Sequence, residues 1–160
     1  MTGLVVRGAR AGDEDALFAM LRAFAEFERL THTFRLTPEI IRRHFLGEHR
    51  RVHCAVAEMD GTLAGAMIWF DGYGTFSAAP VIFLEDIFVR PEFRRRGIAT
   101  AFLKHLARRA VAEGAARIHW LVLDWNTAAI QFYESVGAPV AKEWRVCDLS
   151  GEALTALAKA

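Results

Sequence analysis

Three successive arginines, Arg94, Arg95 and Arg96, run directly into Gly97, Ile98 and Ala99, where a segment with helical apolar spacing begins. A helix start offers unpaired backbone N–H groups and the positive end of the helix dipole. Glycine lets an anion approach the backbone closely, and arginines add charge-assisted hydrogen bonds. Such a turn suits a pyrophosphate, with a solvated basic turn as the plainer alternative. The G-K-[ST] ending of a nucleotide P-loop is absent, as is the G-x-G-x-x-G dinucleotide fingerprint.

Glu85 is a second chemical candidate. It is a carboxylate inside the apolar run "VIFLEDIFV" (81–89), where an ionised group needs a partner or a task. Strand alternation directs the adjacent Asp86 to the opposite face, which marks Asp86 as structural. Asn126 and Tyr133 lie seven residues apart in a helical pattern, about two turns, and share one face. Taken alone they read as an N-cap and a buried aromatic.

These residues need a frame. Leu4–Arg7 is a short β-type run, and Asp13 opens an amphipathic helix to about Leu30. Thr37-Pro38 reads as a cap followed by a proline at the first helical position, with the helix reaching about Leu46. Segments 52–58 and 63–70 flank Asp60-Gly61 and predict a hairpin. A glycine-rich loop is expected over 71–80, then strand 81–89, a helix from Arg96 to Glu113 closed by Gly114, and strand 117–123. A short helix over 126–136, a last strand over 143–149 and a terminal helix from Ser150 complete the chain. Strand 81–89, its long helix and strand 117–123 form a crossover unit, which requires a parallel pair. The expected fold is α/β, a mixed, largely antiparallel twisted sheet with helices on both faces, in a single domain over residues 1–160.

Composition bounds the function. The chain has 160 residues, 53% hydrophobic and 24% charged, with a net charge of +1, so nothing general favours nucleic acid or a membrane surface. No apolar stretch reaches the ~18 residues of a membrane span. The two cysteines form no disulfide framework or metal-ligand pair, and a reduced, cytoplasmic setting is expected. His44, His49 and His53 have no metal-site spacing, so no metal is expected. Trp69, Trp120 and Trp144 read as core or interface aromatics.

Longer words sharpen this picture. The R-x-x-G-x-A word at Arg94–Ala99 resembles the acyl-CoA pyrophosphate motif of the GNAT acetyltransferases, and "DWNTAAIQFYESVGA" (124–138) resembles that superfamily's W-N-x-x-A-x-x-F-Y-x-x-x-G-A segment. "FLEDIFV" (83–89), "LGEH" (46–49) and "AEFERL" (25–30) resemble words of the diamine (spermidine/spermine) and thialysine acetyltransferase branch. The resemblance covers nearly the whole chain. It implies a GNAT-like fold with strands 81–89 and 117–123 splayed apart, acetyl-CoA as cosubstrate, and a homodimer with strand 143–149 as a candidate interface.

Acetyl transfer to an amine sets three tasks. A lysine-like amine with pKa about 10.4 is neutral in roughly one molecule in 2,500 at pH 7, so a proton must be removed. The oxyanion needs hydrogen-bond donors, and the departing thiolate gains from protonation. The resemblance implies Glu85 as base, directly or through water, and Tyr133 as acid toward the sulfur; Glu85 as a mere anchor for the ammonium group is the alternative. It implies that the backbone of Ile87, Phe88 and Val89 and the turn Arg94, Arg95, Arg96, Gly97, Ile98, Ala99 and Thr100 hold the coenzyme, with Asn126, Thr127, Ala128 and Ala129 on its arm. Phe27, Glu28 and Phe76 join Glu85 as expected contacts of a small-molecule amine. Few acids follow the first helix, so a diamine or a lysine-like amino acid fits better than spermine. A catalytically silent acetyl-CoA-binding module, or an enzyme acting on protein or antibiotic amines, are the alternative functions.

Overall fold

Asp60 and Gly61 both adopt left-handed backbone conformations, φ 51° and 80°, and so close a tight turn between two antiparallel strands, β2 (His53–Met59) and β3 (Thr62–Gly74). In the computed structural model, which describes residues 3–160, that hairpin is the middle of a five-stranded sheet. The other strands are β1 (Leu4–Gly8), β4 (Ala79–Val89) and β5 (Arg117–His119), in spatial order β1-β2-β3-β4-β5. Every pairing is antiparallel except β4 with β5, as the crossover requires.

The described chain divides into two units, one running to Leu121 and the other Val122–Ala160. In the first, strand alternation sorts apolar side chains to two cores. Cys54, Val56, Ala66 and Ile68 pack under α1 (Glu14–Phe27) and α2 (Pro38–Ile41), against Leu17, Met20, Leu21 and Ile41. Ala55, Ala57, Met67 and Trp69 face the other way, against Ile98, Phe102, Leu106 and Ala110 of α3 (Ile98–Ala112). Helices therefore cover both faces of the sheet. The second unit holds α4 (Thr127–Ser135) and α5 (Gly151–Leu157).

Several expected boundaries shift for physical reasons. α1 ends at Phe27 rather than Leu30, because Arg29 takes φ 61° and Leu30 N–H returns to the Ala25 carbonyl, a Schellman closure without glycine. Thr37 caps α2 through its hydroxyl, but after Ile41 the helix continues as a π-turn over Arg42–Leu46. The expected loop 71–80 is largely strand: Gly72, Tyr73 and Gly74 pair with Val81, Pro80 and Ala79. Strand 117–123 stops at His119. Residues 143–149 form no strand at all, and Trp144 there is exposed. Their alternating pattern describes an extended segment, and a sheet also needs a partner.

Candidate active site

Ile68 of β3 stands opposite Asp86, yet the next residue, Trp69, stands opposite Leu84. Glu85 is thus an extra residue, a β-bulge. The bulge reverses the facing of β4. Before it, Ile82 and Leu84 enter the core beneath α3; after it, Phe88 enters the core beneath α1, against Phe24 with ring centroids 5.5 Å apart. Asp86 shares the Phe88 and Ile68 side, toward α1, while Glu85 is exposed. Alternation alone gave no reason to see Asp86 as more than structural, since the rule has no force across a bulge.

Glu28, just past the end of α1, lies near enough that its charge acts on Asp86. Asp86 keeps some open surface but sits deep among protein atoms. Its carboxyl is pushed up to about 7, by burial first and then by the neighbouring charges of Glu85 and Glu28. Burial also raises Glu28. Three carboxyl groups therefore form a cluster, with Glu28 and Glu85 near enough for their charges to act on Asp86. Such a group attracts a cation, and one member of it exchanges protons near neutrality.

Pairing between β4 and β5 covers Val81, Ile82 and Phe83 against Arg117, Ile118 and His119, and then stops. From Leu84 to Val89, β4 has β3 on one side and no continuation of the β5 ladder on the other. The parallel strands separate just ahead of the bulge. Backbone groups of Ile87, Phe88 and Val89 lie in this stretch.

A 3₁₀ turn, Pro91–Phe93, then leads into the arginine turn. Arg95 and Gly97 both take left-handed conformations, φ 62° and 79°. A Cβ on Gly97 would meet nothing within 4 Å, so open space lies above the helix start. The first helical bond runs from Ala101 N–H to the Gly97 carbonyl. The N–H groups of Ile98, Ala99 and Thr100 precede it, an arrangement open to an anion such as the pyrophosphate of a coenzyme. Arg96 rests its guanidinium over Phe93, 5.6 Å from the ring centroid, and reaches the Met59 sulfur at 3.8 Å. Arg94 bends back: its Nε donates to the Val89 carbonyl at 3.2 Å, and its guanidinium lies 5.4 Å from the Phe27 ring centroid.

Phe27 and Glu28 thus join the neighbourhood of β4. Phe76 does not, within one chain: it is fully exposed at the tip of the β3–β4 hairpin. Ala79 alone precedes Glu85 by six strand positions, about 20 Å. In the second unit, Asn126 Oδ1 accepts from Ala129 N–H at 3.3 Å and caps α4, with Thr127, Ala128 and Ala129 as its first turn. Tyr133 is buried on that helix, its ring 5.5 Å from Phe132.

Among the described residues, no group of three His, Cys, Asp or Glu side chains could hold a metal ion, and no helix is long and apolar enough to cross a membrane. His53 instead stacks on Trp69, with ring centroids 5.4 Å apart, and bonds Asp71 at 2.8 Å beside Arg109. That network borders a cavity of about 610 Å³ at the start of β2, lined partly by Glu48 and Arg50.

The open helix start, the interrupted ladder and the carboxyl cluster define a class, and comparison with known proteins gives it a name. Residues 15–138 match the acetyltransferase (GNAT) family. The chain is 32% identical over 169 residues to the thialysine N-epsilon-acetyltransferase of Sus scrofa, covering 99% of each. It is 45% identical over 100 residues to the L-ornithine N5-acetyltransferase NATA1 of Arabidopsis thaliana; that match spans 62% of this chain and only 44% of the relative's length. Among solved structures, an integron cassette protein of V. cholerae aligns with a TM-score of 0.82 over 98% of both chains, at 20% identity, which supports the fold. The chain belongs to the GNAT family. It is an N-acetyltransferase with acetyl-CoA as its cosubstrate.

Proposed function

We propose that this enzyme moves the acetyl group of acetyl-CoA to a primary amine of a small molecule, a diamine, a polyamine or a lysine- or thialysine-like amino acid. The carboxyl cluster of Glu28, Glu85 and Asp86, beside the point where β4 leaves β5, is the observation that supports it. The cluster draws in an ammonium group, whose deprotonation at pH 7 costs about 4.6 kcal/mol. Glu85 takes that proton directly or through water. Asp86, half ionised near pH 7, steadies the ammonium group and shares the proton. Relatives named for thialysine and ornithine acetylation fit an acceptor of this size.

On the coenzyme side, backbone groups of Ile87, Phe88 and Val89 hold the pantetheine arm, and Arg94, Arg95, Arg96 and the N–H groups of Gly97 to Thr100 meet the phosphates. Asn126 and the first turn of α4 support the arm, and the Tyr133 hydroxyl protonates the departing sulfur. Residues 1–160 act as one acetyltransferase domain. The exposed, unpaired segment around Trp144 and Val146 supports a homodimer in which it finds a partner strand. Both cysteines are free, in keeping with the reducing cytoplasm.

The test is acetyl-CoA-dependent thiol release across short diamines, spermidine, thialysine, lysine, an N-terminal peptide and an aminoglycoside. Turnover on one small-amine class, slowed at least a hundredfold in Tyr133→Phe, is expected. Turnover confined to the peptide or the aminoglycoside refutes the small-amine assignment.

A further inference from the structure

β2 begins at His53, opposite Trp69, so Phe70 and Asp71 of β3 have β4 on one side and no β2 residue on the other. The notch left there is the cavity of about 610 Å³, a volume within the range of small-molecule sites. Its walls combine the apolar Val52 and Phe70 with Arg50 and Arg51. The loop that carries the two arginines is pinned. Arg51 and Val52 N–H both donate to the His44 carbonyl, at 2.8 and 3.3 Å, and Arg50 N–H donates to the Gly47 carbonyl at 3.1 Å.

The charges in these walls do not cancel. Asp71 is already met by Arg109 Nη2 and by His53 Nε2, each at 2.8 Å. Arg109 keeps a further nitrogen, Nη1, buried and without a hydrogen-bond partner among the described residues. Among those residues the Arg50 and Arg51 side chains have no hydrogen bond or ion pair either, and Glu48 is the remaining acid of the wall. Two adjacent guanidinium groups on one concave wall repel each other, and an anion between them removes that repulsion. A phosphate monoester brings a charge of about −1.5 to −2 and three acceptor oxygens, which suits two forked donors. Val52 and Phe70 favour an ester with a carbon body over bare phosphate.

The coenzyme's phosphates meet the other end of α3. Asp71 holds Arg109 in the last turn of that helix, and from Ile98 to Arg109 the helix rises about 17 Å.

We propose that the notch is a second ligand site, for a small organic phosphate, with Arg50 and Arg51 on the phosphate and Val52 and Phe70 against the carbon body. The site is independent of which amine the enzyme acetylates.

Isothermal calorimetry tests it with phenyl phosphate and inorganic phosphate as probes, in protein saturated with CoA so that the start of α3 is already occupied. Phenyl phosphate is expected to bind at one site per chain, at least fivefold more tightly than inorganic phosphate. Arg50→Ala combined with Arg51→Ala should weaken it at least tenfold and leave CoA binding within about twofold. Asp71→Asn should tighten it, because an opposing charge is removed and Arg109 is released. Absent binding, equal affinity for the two probes, or an unchanged affinity in the double variant overturns the proposal. So does a double variant whose CoA affinity falls in parallel, or weaker phenyl phosphate binding in Asp71→Asn.

Discussion

Gly65 lies so close to Phe88 that a Cβ built on it would come within 2.6 Å of the Phe88 carbonyl oxygen, and within 3.1 Å of the Phe102 ring. The missing methyl group leaves room for the Phe88 carbonyl of β4 and for Phe102 and Ile98 of α3 to pack against β3. Gly65→Ala is expected to cost roughly 1–3 kcal/mol through overpacking. For a chain of this length that is a fall in Tm of roughly 2–12 °C, measured by thermal unfolding. Because the push reaches Phe88 and α3 first, KM for acetyl-CoA should rise more than KM for the amine. Equal changes in both would separate Gly65 from the coenzyme side.

Asp86 ties activity to pH. With its carboxyl pushed up to about 7, chiefly by burial, it should appear as an acid limb near pH 7 in kcat/KM for the amine. Asp86→Asn should remove that limb and lower kcat/KM at least tenfold. A limb that persists near pH 7 in the variant assigns it elsewhere.

The same residue ties stability to pH, and the sign is fixed. Its folded pKa is above the ordinary value of 3.8, so the neutral form is favoured by the fold. Asp86's contribution is fully present below about pH 4 and is lost as pH rises through about 7. A carboxyl raised from 3.8 to about 7 corresponds to at most roughly 4 kcal/mol. Denaturant unfolding should therefore show Asp86→Asn gaining on wild type from pH 4 to pH 8. A constant difference over that range contradicts the shift.

Arg95 and Arg96 should act on phosphate. Their double alanine variant is expected to weaken CoA binding at least tenfold while leaving pantetheine, which lacks the pyrophosphate, within about twofold. Isothermal calorimetry reads both. Parallel losses would mean that the turn is structural.

Much of the frame was readable because it depends on neighbours in sequence. Asp60-Gly61, the Thr37 cap and the closure at Gly114 each require only local chemistry, and the structure has them. Arg29 ends α1 in the same geometry as those glycines, and no residue preference announces an arginine there. Features that depend on a partner strand were less legible. Gly72 and Gly74 read as loop, but each pairs across a hairpin, and 143–149 alternates without pairing. Asp86 was hidden for a related reason, since an extra residue in β4 is visible only once β3 lies beside it. Arg94 stood out in the sequence as one of three arginines, and nothing in the triplet marked it as the one that turns toward Phe27.

The early end of the β4–β5 ladder carries a cost that catalysis does not reveal. An uncovered strand edge is a template for any extended chain, including the same segment of another molecule. If the pantetheine arm lies along it, the coenzyme acts as a substitute strand. Amide exchange at Ile87 and Val89 should then slow when CoA is added, and the coenzyme-free protein should aggregate more readily on warming. For such an enzyme, a cell's supply of coenzyme would regulate how long the protein survives as well as how fast it works.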